Sequence, residues 1–337
     1  MHKKYQIGLV AVFFSLQGFG QTGGQHSFEF LNTAPNARLA ALGGVNVSLR
    51  DRDVNFFAYN PALGGDSLAG FAAASYQFYV ADIGQSSVVY AHQFNSIGTL
   101  TFGMQHINYG EIAGYDASGA EIGSFKSSET ALVISKTHQV SNFRFGVNLK
   151  PVFSNIAGYR ANALLFDLGG TFIHPRQDLT VGLVIKNFGL VLSEYADGSH
   201  TKVPFDVQAG ITFKPEHMPL RFSFTAYNLG TTSGSYDDPQ NDEDDLSSFD
   251  KVMGHLNMGA EILFHRNVNI LVAYNFLRQQ ELKTENTGGN GFCIGASVKI
   301  KSFELIFSRT SYSTGNGAYG FTLTSNIQNM IFKKRTI

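Results

Sequence analysis

Residues 268–276 read VNILVAYNF. Successive side chains of an extended chain point to opposite faces, so this stretch separates large apolar groups from smaller or polar ones. One face holds Val268, Ile270, Val272, Tyr274 and Phe276, and the other holds Asn269, Leu271, Ala273 and Asn275. Such a pattern is typical of a strand with one face in lipid and the other in the lumen of a membrane β-barrel.

The same two-residue period recurs along the chain from residue 67 to residue 327. We distinguish about fourteen short alternating segments, separated by clusters of Gly, Pro, Asn, Asp and Ser. Most of them suit a spanning strand of about 9–11 residues. An open strand edge in hydrocarbon would leave backbone N–H and C=O groups unpaired, so the first and last segments are expected to pair. The prediction is an all-β fold, a transmembrane antiparallel β-barrel of about fourteen strands over residues 67–327.

The connections between these segments alternate in length. Every second one is short, at residues 95–96, 140–142, 174–178, 214–219, 265–267 and 300–302. The intervening ones are mostly longer, notably residues 109–126, 187–202, 229–251 and 278–290. Outer-membrane barrels have short periplasmic turns and longer external loops. This pattern favours such a barrel, with both termini in the periplasm, over a soluble β-sandwich.

Composition agrees with a barrel and excludes one class of partner. The mean hydropathy is −0.05, yet 43% of the residues are hydrophobic and only 15% are charged, because only alternate residues of a barrel strand face lipid. The net charge is −1, and the one basic cluster is the short run Lys333-Lys334-Arg335, so nothing indicates nucleic-acid binding. The single cysteine, Cys293, rules out a disulfide framework.

Residues 1–20 have the pattern of a signal peptide. Lys3 and Lys4 precede the apolar residues 7–14, and small residues follow at Gly18 and Gly20. The apolar core is too short for an uncleaved spanning helix, which needs about 20 residues. We therefore expect export and cleavage, with an uncleaved anchor as the alternative.

Residues 21–66 do not alternate. Asn36 is expected to cap a short helix over residues 37–42 that stops at Gly43, and Asn60-Pro61 marks a second break. A barrel of this width has a lumen that something must fill. The interpretation is an N-terminal plug segment at residues 21–66, against a periplasmic tail as the alternative, and a C-terminal periplasmic tail at residues 328–337. The plug candidates are Asn36, Arg38, Asp53, Asn60 and Pro61.

Charged residues within this segment suggest contacts with the barrel wall. Arg38 and the cluster 51–53 are expected to pair with wall residues such as Glu304 or Asp167 if they face a polar lumen. The alternative is that these charges lie in solvent near the periplasmic mouth.

Several motifs after residue 21 carry a family resemblance. They are Thr22-Gly23-Gly24, FEFLN at 28–32, ARLAALGG at 37–44, NPAL at 60–63, YVADI at 79–83 and QHINYG at 105–110. In these motifs the chain resembles the PorV/PorQ family of the Bacteroidota type IX secretion system, itself similar to FadL-type fatty-acid channels. The FEFLN and INYG stretches favour the PorQ members. The resemblance covers residues 22–130, and barrel-like patterning alone continues beyond.

The resemblance implies a FadL-like barrel of about fourteen strands, embedded in outer-membrane lipid as part of an attachment complex. Its partners would be a PorU-like sortase, which joins secreted cargo to anionic lipopolysaccharide, a PorV-like barrel and a PorZ-like surface protein that this chain would anchor. The alternative is a FadL-like transporter of hydrophobic small molecules. A filled lumen with no continuous path would favour anchoring, and an apolar pocket open to the bilayer would favour transport.

An acidic stretch lies in one of the long connections. It holds Asp237, Asp238, Asp242, Glu243, Asp244, Asp245 and Asp250. The stretch lacks the spacing of an EF-hand, so a solvated external loop is expected, with calcium or a basic partner as alternatives.

No other motif indicates catalysis or a cofactor. Gly315, Gly317 and Gly320 match the spacing of a dinucleotide loop, but an alternating strand pattern follows instead of a helix. The histidines form no metal-binding motif, and no G-x-S-x-G elbow is present. We predict no catalytic residue, no metal site and no cofactor. A Ser/His site of the outer-membrane phospholipase kind stays open, because its members need only meet in space.

Overall fold

The computed structural model describes residues 27–196, 201–230, 247–282, 289–313 and 316–328. The predicted signal peptide and the first motif of the family resemblance lie outside the described residues. So do residues 237–245 of the acidic stretch and the predicted C-terminal tail after residue 328.

In the described part of the chain, fourteen antiparallel strands form a closed barrel, which confirms the predicted fold class. Each strand pairs with its neighbours in sequence, and the last strand pairs with the first. The strands are β1 Phe71–Phe78, β2 Gly84–Phe94, β3 Gly98–Tyr115, β4 Glu121–Val140, β5 Phe143–Ile156, β6 Tyr159–Ile173, β7 Asp178–Ser193, β8 Asp206–Lys214, β9 Leu220–Ala226, β10 Leu256–His265, β11 Val268–Asn275, β12 Phe292–Ile300, β13 Phe303–Ser313 and β14 Asn316–Asn326.

Short helices lie before the barrel and in two of its loops. They are α1 Ala37–Ala41, α2 Ser248–Gly254 and α3 Phe276–Glu281, with 3-10 turns at Glu29–Asn32, Val54–Ala58, Pro61–Leu63 and Asp66–Leu68. None of the helices among the described residues has the length and apolar character needed to cross a membrane.

The pairing of β1 with β14 closes the barrel. It runs from Phe71 opposite Asn326 to Phe78 opposite Tyr319. Closure gives every strand two neighbours, so no backbone edge faces hydrocarbon, where each unpaired polar group costs several kcal/mol. A sandwich of two open sheets is therefore excluded.

The outer face of the barrel is apolar and its inner face is small or polar. On β13 and β14 the outward residues Leu305, Phe307, Phe321 and Leu323 are 40–52% exposed, whereas the inward residue Thr322 is buried. On β11, Ile270 faces outward while Leu271, Ala273 and Asn275 are buried, as the period predicts. Only Phe276 departs, because it begins α3. This outer surface suits lipid, and the chain is a barrel of the outer-membrane type.

The wall is taller on one side. Strands β3–β7 hold 14 to 20 residues each, and the other strands hold 7 to 11. The prediction of a long loop at 109–126 was wrong, because Glu111 pairs with Lys126 and Ala113 with Ser124 in an extension of the β3–β4 hairpin. Register shifts in this ladder absorb the glycines that suggested a loop.

The two rims of the barrel differ. The first, the short-turn rim, carries residues 95–97, 141–142, 174–177, 215–219, 266–267 and 301–302. The second, the long-loop rim, carries the described residues 79–83, 116–120, 157–158, 194–196, 201–205, 227–230, 247–255, 276–282 and 289–291. Every turn of the first rim is short, as predicted. On the second rim only the connections at 194–205, 227–255 and 276–291 are long.

Residues 27–70, which we name the luminal segment, lie inside the barrel. Main-chain carbonyls of the segment accept hydrogen bonds from wall side chains on widely separated strands. Gln105 on β3 donates to Phe30 at 2.8 Å, Asn148 on β5 donates to Phe57 at 3.1 Å, and Asn257 on β10 donates to Leu42 at 2.8 Å. The large side chains Phe28, Phe30, Leu39, Leu42, Leu49, Phe56 and Phe57 of the segment are buried.

Inward-facing glycines of the wall leave room for this segment. A Cβ added at any of these positions would lie within 2.0–2.6 Å of an atom of the luminal segment, which is closer than van der Waals contact allows. The close pairs are Gly103 with Phe57, Gly146 with Pro61, Gly169 with Asn60, Gly182 with Val47 and Gly295 with Ala41. The wall and the luminal segment are therefore shaped to each other.

Candidate functional site

Asn36 begins the helix α1 in the middle of the lumen. Its backbone is extended, and its side-chain oxygen accepts a hydrogen bond from the backbone N–H of Leu39 at 2.9 Å. This is an N-cap, which satisfies a donor that the helix cannot satisfy itself. The N–H of Ala37 donates to the hydroxyl of Thr322 on β14 at 2.8 Å. Helix α1 is thereby held against the closing strand of the barrel.

The end of α1 depends on two glycines. Gly43 and Gly44 have φ angles of 89° and 90°, and the N–H of Gly44 donates to the carbonyl of Leu39 at 2.9 Å. Glycine adopts this left-handed conformation without the strain that a side chain brings, which is why it commonly ends helices. The helix therefore stops after five residues and the chain turns back across the lumen.

Arg38 is the centre of a buried cluster of charges. Its guanidinium lies 2.7 Å from Glu261 on β10, 2.7 Å from Asp51 and 3.3 Å from Asp53. Arg221 on β9 contacts Glu261 at 2.9 Å and Asp51 at 3.1 Å. We name these five residues the Arg38 cluster. It joins the luminal segment to β9 and β10.

The wall partners of Arg38 differ from those that the sequence suggested. Glu304 forms no ion pair in the described part of the chain, and Asp167 pairs with Lys150 on β5 at 2.6 Å. The reason is the direction of α1, which points Arg38 toward β9 and β10. Residues 38 and 261 are 223 positions apart, so no local pattern indicates their contact.

Burial and charge act against each other in the Arg38 cluster. Burial alone would lower the pKa of the Arg38 guanidinium, but Glu261, Asp51 and Asp53 outweigh it and raise the pKa well above its usual range. Burial alone would raise the pKa of Asp51, but Arg38 and Arg221 hold it well below its usual range. Arg38 and Asp51 therefore stay charged at neutral pH.

The remaining sequence-predicted residues fold the luminal segment onto itself. Asp53 accepts from the backbone N–H of Asn55 at 2.9 Å and so caps the turn Val54–Ala58. Asn60 donates to the carbonyl of Val47 at 2.8 Å, and the carbonyl of Pro61 accepts from Thr137 on β4 at 2.6 Å. The five candidates Asn36, Arg38, Asp53, Asn60 and Pro61 thus lie in the lumen. Arg38 and Asp53 meet in the Arg38 cluster, and the other three hold the segment at separate points, so the five do not form one site.

A cavity lies between the luminal segment and the long-loop rim. Its volume is about 310 Å³, and we name it the long-loop cavity. This size is at the lower end of the range of about 300–1,000 Å³ for small-molecule sites. Its floor includes Thr33, Ala40, Gly44 and Tyr59 of the luminal segment. Its walls include Gln77, Lys186, Asp206, Gln208, Tyr227, Arg278 and Tyr312.

Polar side-chain atoms without a hydrogen-bond partner line this cavity, although Gln208 Nε2 donates to Asp206 Oδ2 at 2.5 Å. Lys186 on β7 and Asp206 and Gln208 on β8 are at most 3% exposed. No atom of the described chain forms a hydrogen bond with Lys186 Nζ, Asp206 Oδ1 or Gln208 Oε1. The Lys186 ammonium lies 4.0 Å from the centre of the Tyr59 ring, and the Arg278 guanidinium lies 5.0 Å from that of Tyr312. Such groups are costly to bury unless something compensates them.

The sequence did not single out these lining residues. The one available signal is that a lysine, an aspartate and a glutamine fall on the inward face of strands whose outward face is apolar. That signal marks many lumen-facing residues and does not show which of them converge.

A second cavity lies on the other side of the luminal segment, toward the short-turn rim. It also measures about 310 Å³, and we name it the short-turn cavity. Its lining is strongly charged and includes Arg38, Asp51, Arg52, Arg221, Arg266, Lys299 and Glu304. Helix α1 contributes Ala40 to the first cavity and Arg38 to the second. Strands β1, β13 and β14 also line both cavities, so the two follow the same wall on opposite sides of α1.

The other motifs from the sequence carry no site among the described residues. Asp250 lies in α2, where its side chain accepts from Ser247 at 2.8 Å, and the other acidic residues of that loop lie outside the described part. Gly317 and Gly320 lie in β14 and not before a helix. Within the described residues, no group of three or more His, Cys, Asp or Glu side chains is arranged to hold a metal ion.

No protein-family model matches the sequence, and no curated protein matches it. Among solved structures, the chain is similar to a deltaS2 mutant of the TodX monoaromatic hydrocarbon channel, with 11% identity over 87% of this chain and 97% of that one and a TM-score of 0.49. It is likewise similar to a Pseudomonas aeruginosa FadL homologue, with 11% identity over 87% and 99% of the two chains and a TM-score of 0.49. The KdgM porin in complex with disordered oligogalacturonate matches at 9% identity over 76% and 98%, with a TM-score of 0.35. The strand pairing itself establishes a closed β-barrel of the outer-membrane type.

Proposed function

We propose that this protein is a gated channel of the outer membrane, in which residues 27–70 act as the plug. The long-loop rim faces the cell exterior, and both termini lie in the periplasm. The observation that carries the proposal is the presence of two cavities on opposite sides of α1 along one wall. A cargo molecule enters the long-loop cavity and passes to the short-turn cavity when α1 moves aside.

The barrier between the cavities is thin where α1 crosses the lumen. The helix has five residues, and its side chains at Ala40 and Ala41 are small. Its direct link to the closing strand is the hydrogen bond from Ala37 to Thr322. A hydrogen bond of this kind contributes only about 1 kcal/mol, so this link to β14 adds little to the cost of displacing α1.

The Arg38 cluster permits this displacement without exposing a bare charge. If α1 moves away from the wall, Arg38 keeps Asp51 and Asp53, which belong to the same luminal segment. Glu261 keeps Arg221, its neighbour on the wall, at 2.9 Å. Breaking a buried ion pair is expensive when one partner is left alone, and here each partner retains a counterion.

Two cysteine pairs test whether α1 is the gate. Ala37→Cys with Thr322→Cys ties α1 to β14. Ser48→Cys with Thr212→Cys ties another part of the luminal segment to β8, where the two hydroxyl oxygens are 2.8 Å apart. Both pairs are made in a Cys293→Ser background and measured in planar lipid bilayers. Oxidation is expected to silence the first pair until a reductant is added, and to leave the second pair conducting.

A third variant loosens the gate. Glu261→Gln removes the wall anchor of Arg38 while Asp51 and Asp53 keep it neutralised, so the open fraction is expected to rise above that of the wild type. The proposal fails if neither the wild type nor Glu261→Gln conducts. It also fails in its assignment of α1 if oxidation of the second pair silences the channel as fully as the first.

Transport is the alternative that the sequence offered, and the lining of the two cavities bears on the kind of cargo. The FadL-like comparison implied hydrophobic small molecules. Charged residues line both cavities, so the lumen suits a polar or amphipathic cargo better than a pure hydrocarbon. The channel proposal does not depend on a hydrophobic cargo.

A second candidate function is the attachment role of the PorQ members of the type IX secretion system. The tall wall of β3–β7 favours it, because apolar residues there project at the long-loop rim. Tyr115, Tyr159, Leu190 and Leu192 are each more than 60% exposed. We propose this rim as the contact surface for a PorZ-like protein, in a complex with a PorU-like sortase and a PorV-like barrel.

A pull-down from detergent-solubilised outer membranes tests this second candidate. Leu190→Asp with Leu192→Asp is expected to lose the PorZ-like and PorU-like partners that the wild type retains. The control is Phe264→Asp, a residue 79% exposed near the opposite rim, which is expected to retain them. Recovery of the wild-type barrel without these partners would rule the role out.

A further inference from the structure

Lys186 and Asp206 face each other but do not pair. They stand directly opposite in the register of β7 and β8, and both are buried. Adjacent strands bring directly opposed side chains to about 4.5–5.5 Å between Cβ atoms, close enough for an ion pair. No nitrogen–oxygen contact within 4.0 Å joins them, and the Lys186 ammonium lies instead over the Tyr59 ring.

A second lysine in the same lumen forms an ion pair. Lys150 Nζ lies 2.6 Å from Asp167 Oδ1 and 2.5 Å from Asn187 Oδ1. Lys150 is not even directly opposite Asp167, because the register pairs Asp167 with Asn148. The wall can therefore bring a buried lysine and aspartate together, which makes the separation of Lys186 from Asp206 a specific feature of the long-loop cavity.

The unpaired atoms in the long-loop cavity include a hydrogen-bond donor and two acceptors. Lys186 Nζ is a charged donor, while Asp206 Oδ1 and Gln208 Oε1 are acceptors. Arg278 adds a second cation to the cavity. Its guanidinium donates to Cys293 Sγ at 3.2 Å and forms no ion pair with a carboxylate among the described residues. A ligand that compensates these groups needs an anionic part and a hydrogen-bond donor on neighbouring atoms.

We propose that the long-loop cavity binds a small zwitterion with adjacent ammonium and carboxylate groups, an α-amino acid. Its carboxylate accepts from Lys186, and its ammonium donates to Asp206 and Gln208. Tyr59, Tyr227 and Leu277 leave an apolar surface for the side chain of the ligand. This inference rests on the proposed function, since it names the cargo that enters the channel.

Simpler ligands leave part of the site uncompensated. A plain anion meets the free oxygen of Asp206, and a plain amine meets Lys186 and Arg278, so each encounters a like charge. A neutral sugar supplies hydrogen bonds but no charge. Of these ligands only the zwitterion carries both signs of charge.

Isothermal titration calorimetry on the purified full-length barrel in detergent tests the ligand class. The probes are L-phenylalanine, 3-phenylpropionate, which lacks the ammonium, phenethylamine, which lacks the carboxylate, and sucrose. L-Phenylalanine is expected to bind, and each analogue with a single charge is expected to bind about tenfold or more weakly. Sucrose is expected not to bind.

Variants identify the contacts. Lys186→Met and Asp206→Asn are each expected to weaken L-phenylalanine binding about tenfold or more. Lys186→Met is also expected to bind phenethylamine at least as well as the wild type does, an effect that a general loss of structure would not produce. The control Lys299→Met, in the short-turn cavity, is expected to bind like the wild type. Lys186→Arg, which keeps the charge, is expected to retain most of the affinity and serves if the methionine variant does not fold.

The outcomes separate this inference from the channel proposal. Equal binding of 3-phenylpropionate and L-phenylalanine would overturn the zwitterion assignment. So would conductance without binding of any probe, which would leave the gated channel standing. Binding of L-phenylalanine without conductance in any variant would support the site and overturn the channel.

Discussion

The two sides of the luminal segment treat buried charge in opposite ways. Toward the short-turn rim, the two arginines of the Arg38 cluster meet three carboxylates within 3.3 Å. Toward the long-loop rim, Lys186 and Arg278 have no carboxylate partner, although Asp206 lies directly opposite Lys186 in the strand register. Paired charges hold the segment on one side. On the other side Lys186 Nζ has no hydrogen-bond partner, which is the basis of the proposed ligand site.

Replacing one buried cation with methionine on each side of the luminal segment tests this contrast most strongly. Arg38→Met leaves Asp53 buried without its cation, so we expect a loss of about 3–5 kcal/mol in the free energy of unfolding. Lys186→Met removes a buried ammonium that no carboxylate neutralises, so stability is expected to stay the same or rise. Urea unfolding of both variants in lipid vesicles, followed by circular dichroism, measures the difference. Equal losses would mean that the two regions do not differ as described.

Close packing of the wall on the luminal segment gives the next largest effect. A Cβ at Gly182 would lie 2.1 Å from the carbonyl oxygen of Val47, a backbone atom that cannot turn away. Gly182→Ala is expected to cost about 1–3 kcal/mol by overpacking and to raise the open fraction of the channel. Gly170→Ala is the matched control, because its added Cβ meets nothing closer than 4.0 Å. Similar unfolding curves for both variants would contradict the close fit.

Removing the N-cap of α1 is expected to have a smaller effect on stability. Asn36→Ala removes the acceptor for the N–H of Leu39 and is expected to cost about 1 kcal/mol. Because α1 is the proposed gate, the open fraction in planar bilayers is expected to rise by a similar free energy. Asn36→Ser keeps an uncharged capping oxygen and is expected to retain most of the stability of the wild type.

Lowering the pH is expected to have the smallest effect on stability. The sign of this effect differs between the two sides of the luminal segment. The folded pKa of Asp51 is lowered, so its contribution is present above the unfolded pKa of about 3.9 and is lost as the pH falls further. Burial raises the pKa of Glu281 on α3 against the opposing charge of Arg278, so its contribution is present below the unfolded pKa of about 4.3 and is lost as the pH rises.

The two carboxylates are separated by substitution. Asp51 is partly exposed and screened by solvent, so protonation of Asp51 is expected to lower the free energy of unfolding by less than about 1 kcal/mol. Asp51→Asn is expected to remove the loss of stability below pH 4, and Glu281→Gln to remove the loss at higher pH. The thermal unfolding midpoint across the pH range measures both. A profile unchanged in either variant would exclude that residue as the source.

The barrel was predictable from the sequence because alternation is local. The stretch 268–275 shows its inward and outward faces directly, and the cap at Asn36 follows from one residue and the helix pattern after it. The loop predicted at 109–126 was wrong because glycines that look like a turn are accommodated by register shifts in a paired hairpin. Whether a glycine-containing stretch forms a loop or a hairpin depends on pairing with the partner strand, and local composition does not show that pairing.

The candidate site was less predictable for a related reason. Arg38 was identified as a lumen charge, but Glu261 as its partner depends on the direction of α1 and on a contact across 223 positions. Lys186, Asp206 and Gln208 appear in the sequence as ordinary inward residues of two strands. Their importance comes from three atoms without a hydrogen-bond partner, Lys186 Nζ, Asp206 Oδ1 and Gln208 Oε1, and that lack is visible only when all neighbours are placed.

The chain order of the luminal segment constrains how the molecule is assembled. The segment comes directly before β1, yet Ala37 bonds to Thr322 on β14, the last strand to be synthesised. Since β1 and β14 join to complete the ring, we expect the luminal segment to lie within the curved sheet before the two ends meet. A late entry would require that segment to thread a finished pore. Folding therefore couples the luminal segment to the closure of the barrel.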